Sequence, residues 1–398
     1  MLRKTIKAIV IIALLKIVML VLDKYSPSST VFHRQLLFSV QLVIIVWLLL
    51  SLLLFVFKAG RSWVARFLPI LIVMLVLGID VLFTYWMERP AKVPGFLKNE
   101  FKNYYALFER NIIEYEPCSV YDSVYAYRFI PGLAFSFGNT EFKNNYQMNS
   151  ESFRDDENSL GGADVVCTGN AYTLGVGVDQ NADYPALLGT QTGLNVLNAS
   201  YPSFGTARQL LRVVNTDTSV LRYLVIQYSK YDVYENAAYV NNKDQLYRMS
   251  DSAYKKAKQE YRWRREYFPG KYAITITYDY LKAQFNKLRK KRYYLSGDNA
   301  ASAKYFLQVL DAYKLNDKVK ILVTEVNDYN DMNSGFLGAI DSLLKQNEFA
   351  HLKDRVQTFD LSKVLNRDDY YIIDSDLRPS GQSKIAKTLS EYITQTQQ

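Results

Sequence analysis

"VVCTGNAYTLGVGV", residues 165–178, is the stretch on which the reading of the fold turns. Four apolar or small residues run into Gly169, Asn170 and Ala171 follow, and Tyr172 and Thr173 lead to a Gly-x-Gly at 175–177. A short apolar run that ends on glycine and a polar residue reads as a buried strand opening into a turn. Outward from it, LNVLNAS (194–200), YLVIQYS (223–229) and VKILVTEV (319–326) repeat the strand pattern. Between them DYPALLGTQTG (183–193), TARQLLRVVN (206–215), ASAKYFLQVLDAY (301–313) and SGFLGAIDSLLKQ (334–346) read as helices. Strand and helix alternate, which predicts an α/β domain with a doubly wound parallel sheet and right-handed crossovers. Ligand crevices in such sheets lie beyond the carboxyl ends of the strands, where 169–171 falls.

Bulk properties narrow the setting. The 398 residues suffice for a membrane part and one sizeable globular domain, and no internal repeat or low-complexity tract is visible. The 48 Lys and Arg exceed the 39 Asp and Glu, a net charge of +9 that suits lipid head groups or an acidic glycan. No recognition motif accompanies that charge, so nucleic acid is not an expected partner. Cys118 and Cys167 allow at most one disulfide, with two buried free thiols the simpler expectation.

Apolar residues concentrate near the N-terminus. Residues 5–22, 36–57 and 67–87 are each long enough to cross a hydrocarbon core of about 30 Å, which predicts three spans and a membrane anchor over 1–90. The first is read as retained, because Lys7 and Lys16 interrupt it and no small-x-small cleavage site precedes Ser26. Arg3, Lys4 and Lys7, and then Lys58, Arg61 and Arg66, mark the cytoplasmic ends, which places everything after Trp86 outside. Lys16 and Asp80 both fall about 10 Å deep and are expected either to pair across the bundle or to be hydrated separately. Residues 91–140 read as a connector and 141–398 as the extracytoplasmic domain, interrupted by a basic, aromatic segment at 251–296. That segment reads as two helices around Pro269-Gly270, either solvated or lying against anionic lipid or a partner protein.

In the domain, "GNAYTLGVGV" resembles the first block of the SGNH (GDSL-type) hydrolases, in which a Gly-Asp-Ser turn displays the nucleophile. "MNSESFRDDE" (148–157) resembles the segment that precedes this block in membrane-anchored bacterial members. "LNVLNASYPSFGTARQLL" (194–211), "YLVIQYSKYDVYEN" (223–236) and "YYIIDSDLRPSGQSKIAKTL" (370–389) resemble the second, third and fifth blocks, in the family's order. The resemblance implies a flavodoxin-like three-layer α/β/α fold over about residues 140–395. Acyl transfer at such a site needs a hydroxyl nucleophile, a histidine base with its carboxylate, and N–H donors to the oxyanion.

The blocks depart from that chemistry. Ala171 stands where the family has serine, and Asn170 replaces the aspartate beside it while keeping the hydrogen bonds of the turn. Ser203 stands for the oxyanion glycine with Gly205 retained, and Tyr231, before Asp232, for the asparagine donor, where it could fill the pocket. In the fifth block one register makes Asp374 the carboxylate and puts Asp376 in the histidine position. The other makes Asp376 the carboxylate and puts Arg378 there, and neither supplies a histidine. His33 and His351 lie elsewhere, the latter as a surface residue before a late strand. The two aspartates are expected to cap the helix that follows or to bind water; the alternative is a coupled acid pair. No metal-ligand spacing is present and no cofactor is expected.

The resemblance thus implies a multi-pass protein of the bacterial inner (cytoplasmic) membrane, its domain periplasmic or extracellular. The expected role is a catalytically inactive binding or assembly subunit in envelope polysaccharide modification. Its expected partners are the membrane, a membrane-bound O-acyltransferase or other envelope-glycan machinery, and a glycan ligand. The alternatives are an O-acyl esterase or acyltransferase working through Asp374 and Asp376, and a structural subunit whose crevice is plugged by Tyr231. The crevice would be lined by Gly169, Asn170, Tyr172, Ser203, Gly205, Tyr231, Asp232, Asp374, Asp376 and Arg378.

Overall fold

Every residue of β5 (Val165–Thr168) is buried, as a strand covered on both faces must be. β6 (Val196–Asn198), β7 (Tyr223–Tyr228), β8 (Lys320–Glu325) and β9 (Val356–Phe359) join it in one parallel sheet, ordered β6-β5-β7-β8-β9. Chain order therefore reverses at β5, which pairs Val165 with both Val196 and Tyr223. Side chains alternate across the sheet. Val166, Leu224, Ile226 and Ile321 enter one core with Leu210, Phe306 and Ile340 of the helices Thr206–Val214, Asn299–Ala312 and Phe336–Leu343. Val165, Cys167, Val225 and Leu322 enter a second core with Leu188, Ile385 and Leu389 of the helices Tyr184–Thr192 and Pro379–Gln397. Each such side chain contributes about 1.5–3 kcal/mol by leaving water. The α/β reading stands, with a five-stranded parallel sheet flanked by helices. Both cysteines are buried and unpaired.

The structure, a computed structural model, describes residues 63–265, 268, 270–286, 297–332 and 335–397 together with positions 42, 45, 46 and 49. The predicted span 5–22, almost all of 36–57, Lys16 and His33 lie outside the described residues. The chain divides into two units, one of Met1–Glu109 with Arg264–Arg289, the other of Arg110–Trp263 with Lys290–Gln398. The dividing line thus falls at Arg110, so most of the 91–140 connector belongs with the sheet. There it forms a small antiparallel hairpin, β1 (Ser119–Asp122) with β2 (Ala126–Phe129), and a strand β3 (Ala134–Gly138) that pairs with β4 (Lys143–Gln147) just beyond it. Strands such as KNNYQ carry no apolar run, so the sequence pattern passes over them.

The basic segment does form two helices, Asp251–Arg265 and Lys271–Asn286, but they part company. Up to Trp263 it belongs with the sheet, where Tyr254 donates to the Glu114 carbonyl at 2.6 Å. Residues 264–289 belong with the first unit. That unit contains the helix Trp63–Glu88, whose stretch Leu71–Glu88 is long and apolar enough to cross a membrane by length and composition, the one such stretch among the described residues. Asp80 within it is buried and accepts the Gly270 and Ala273 N–H groups at 3.2 and 3.0 Å.

Candidate functional site

The strand order reverses at β5, and its carboxyl end is held in a turn with little freedom. A Cβ on Gly169 would come within 2.2 Å of Thr173 Oγ1 and 2.7 Å of Gln227 Oε1, so no side chain fits there. Gln227 Oε1, from β7, accepts the Asn170 N–H at 3.1 Å and the Thr173 hydroxyl at 3.2 Å. Asn170 caps the short helix Ala171–Leu174 by accepting the Tyr172 N–H at 3.1 Å, the local bonding anticipated for it. Ala171 therefore occupies the first helical position after the strand with only a methyl group. Gly169→Ala is expected to cost about 2–3 kcal/mol by overpacking, and denaturant melts of the full chain in detergent check it. A loss under about 0.5 kcal/mol would contradict the packing described.

Arg154, from the segment before the first block, fastens the far side of the same loop. Its guanidinium is fully buried and donates to the carbonyls of Leu174, Gly175 and Val178 at 2.7, 2.6 and 2.7 Å. It lies 4.1 Å from the Tyr146 ring centroid and 3.8 Å from Asp183 Oδ2. Gly177, with φ +90°, passes close beneath the Tyr371 ring, where any Cβ would collide.

The second and third blocks meet this turn unevenly. Tyr201 N–H bonds the Gly169 carbonyl at 3.1 Å, so the 199–205 loop runs beside it. Ser203 has φ +62° and donates its hydroxyl to Glu114 Oε1 at 2.8 Å, and burial pushes the Glu114 carboxyl upward. The Gly205 N–H is engaged by Glu235 Oε1 at 3.1 Å, so the retained glycine is a helix start rather than a free donor. Tyr231 does not fill a pocket: it is 64% exposed, with the Lys230 ammonium 4.9 Å from its ring centroid. Tyr231 directly precedes the helix Asp232–Asn241, and from there its ring points to solvent. Asp232 is instead buried between two helices, accepting the Thr206 hydroxyl at 3.2 Å.

The fifth segment supplies the charge. Asp374 and Asp376 are buried, and Arg110 reaches both, with Nε 3.4 Å from Asp374 Oδ1 and Nη2 3.6 Å from Asp376 Oδ2. Asn139 donates its amide to Asp374, and Glu141 accepts the N–H groups of Ile372, Ile373 and Asp374 at 2.7, 2.9 and 2.8 Å. Asn111, beside Arg110, bonds the Gly138 carbonyl and so ties that segment to the same β3–β4 turn. The two aspartates therefore do not cap the following helix; they are drawn instead to a guanidinium and an amide from segments far away in the chain. Burial, and then the neighbouring Asp374 carboxylate, push Asp376 well above the usual carboxylate range, with Arg110 opposing. Burial also pushes the Tyr172 hydroxyl well up, with Asp376 adding to it. Gln382 ties the first segment to the fifth, donating to the Tyr172 carbonyl at 2.9 Å. Arg378 stands aside, over the Tyr371 ring at 5.3 Å.

Gln382 thus ties Tyr172 to the segment whose Asp374 and Asp376 meet on Arg110, while Ser203 joins Glu114. Tyr231 and Asp232 do not line this site. Arg110, Asn139, Glu141 and Gln227 were not foreseen; only Gln227 had a signal, its place within the third block. Chemically the site offers two buried carboxyls held on one guanidinium, and a serine on a carboxylate. His351 lies elsewhere, exposed, with Nε2 2.7 Å from Asp311 Oδ1. Among the described residues no group of three or more His, Cys, Asp or Glu is placed to hold a metal ion. No protein-family model matches the chain, and no curated protein matches it.

Proposed function

We propose that this chain is a membrane-anchored SGNH-hydrolase-like protein that has lost its hydrolase chemistry. In this reading it serves as a binding or assembly subunit in the modification of envelope polysaccharide, alongside a membrane-bound O-acyltransferase. The observation that carries the reading is the pairing of Ala171, at the end of β5, with an acid pair on Arg110 in the fifth segment. A methyl group cannot attack an ester, and a buried carboxyl held by a guanidinium is a poor substitute for imidazole. What remains at the strand ends is a cluster of buried charge, Asp374 and Asp376 on Arg110, which in this reading is what a hydroxyl-rich ligand would meet. The apolar helix supports the anchor, and the multi-pass topology with an outward-facing domain belongs to the same proposal.

The test compares fluorophosphonate labelling and ester turnover of the native chain with those of an Ala171→Ser, Asp376→His variant. The native chain is expected to be silent and the variant to label covalently. Turnover by the native chain that disappears in Asp374→Ala would overturn the reading. It would favour the second one, an esterase or acyltransferase using the acid pair, which the upward-shifted Asp376 supports.

A further inference from the structure

Lys318 stands just before β8 and Arg355 directly before β9, and both line one cavity. The strands are parallel, so this cavity opens at their amino ends, the opposite edge of the sheet from the turn at 169–171. Its volume is about 730 Å³, within the range of about 300–1,000 Å³ that small-molecule sites occupy. The last turn of the helix Asn299–Ala312 reaches it with Leu310 and Asp311, and the turn Ala350–Leu352 reaches it with His351 and Leu352.

Arg355 builds the rim. Its guanidinium is 13% exposed and donates to the Leu315 and Asn316 carbonyls at 3.0 and 2.8 Å and to Asp317 Oδ1 at 2.8 Å. Those bonds hold the segment between the helix and β8 in place, and they neutralise Asp317. Asp311 is engaged as well, since His351 Nε2 lies 2.7 Å from its Oδ1. Lys314 and Lys318 differ from these: among the described residues neither ammonium has an ion-pair or hydrogen-bond partner. Three cationic side chains thus meet two carboxylates that are already taken, and two exposed lysines are left to attract an anion. Leu310, Ile321 and Leu352 are buried beneath, with Leu315 partly exposed beside them. A bare anion would use only part of such a cavity, and the apolar side chains give an organic body its place.

We propose that this cavity binds a small organic phosphate. Lys314 and Lys318 take the phosphate oxygens as point charges, and the His351 ring nitrogen that Asp311 does not hold adds a hydrogen bond. Two ammonium groups and an imidazole match the charge and the several oxygens of a phosphate better than those of a single carboxylate. The organic body lies against the leucines. The site uses neither Ala171 nor the acid pair, so it stands or falls independently of the role proposed above.

His33 and His351 are the two histidines of the chain, so selective labelling at the imidazole Cε1 gives two nuclear magnetic resonance signals, and His351→Gln identifies them. Phenyl phosphate is titrated into the full chain in an uncharged detergent at fixed pH and ionic strength. The His351 signal is expected to move saturably while the His33 signal stays. Inorganic phosphate is expected to need a several-fold higher concentration for half-saturation, benzoate likewise, and benzyl alcohol to leave the signal in place. The double variant Lys314→Gln, Lys318→Gln is expected to weaken phenyl phosphate binding about tenfold, from two exposed charge contacts worth up to about fivefold each. Arginine at both positions keeps the charge and is expected to retain binding, and near-ultraviolet circular dichroism checks that both variants are folded. No saturable movement of the His351 signal, or movement that the glutamine variant leaves unchanged, would overturn the site. Half-saturation by inorganic phosphate or by benzoate at the same concentration as by phenyl phosphate would overturn the assigned ligand class.

Discussion

Arg154→Ala is expected to destabilise the sheet unit by about 4 kcal/mol, a large share of the 5–15 kcal/mol that holds a typical domain together. The side chain is fully buried, and its loss strands three carbonyls at 174, 175 and 178 while opening a void beside Tyr146. Each stranded carbonyl costs about 1–3 kcal/mol, reduced where water reaches it. Asp183 contributes less than its ion pair suggests. Burial already pushes its carboxyl up to about 7, so without Arg154 it takes a proton rather than remain charged. Arg154→Lys is expected to recover less than half of the loss, because one ammonium cannot fork across three carbonyls. Denaturant melts of the full chain followed by near-ultraviolet circular dichroism provide the measurement. An alanine variant within about 1 kcal/mol of native would show that the 174–178 loop does not depend on the guanidinium.

Arg110→Ala is expected to cost about 1–2 kcal/mol at neutral pH, and the cost should shrink on acidification. The guanidinium is 38% exposed, so solvent screening limits its contribution. Asp376 is already raised above its unfolded value of about 3.9 by burial and by Asp374. For such a carboxyl the folded state binds more protons, so its stabilising contribution is full below the unfolded value and is lost as pH rises through the folded one. Arg110 opposes the upward shift, and removing it raises Asp376 further and widens that window. The gap in melting temperature between native and variant should therefore be narrow near pH 4 and widen as pH rises through the raised folded value of Asp376. Asp376→Asn in the same background should close most of it. A gap that grows on acidification would mean that Arg110 acts through some other contact.

Much of the architecture was legible because it is written in short-range patterns. The apolar runs at 165–169, 223–229 and 319–326 became β5, β7 and β8, and the helix from Tyr184 begins one residue into the stretch that suggested it. The Asn170 cap was legible for the same reason, since its side-chain bond to the Tyr172 N–H reaches only two residues along the chain. The 119–147 hairpins were not, because their strands are only four or five residues long and mix polar with apolar residues, as in SVYD and KNNYQ, so they carry neither a continuous apolar run nor a helical period. The 251–296 segment was legible as two helices but not as a segment shared between two units.

By itself, then, the sequence determined which stretches form buried strands, which faces of the helices are apolar, and that position 171 carries no nucleophile. Only the tertiary structure decided where the charges go. Asn139 and Asp374 are 235 residues apart and Asp80 and Ala273 193 apart, yet each pair is bonded. Periodicity encodes which side of an element avoids water, and that is local. The partner of a buried carboxylate is whichever donor the packed elements carry to it, and that exists only once the chain has folded.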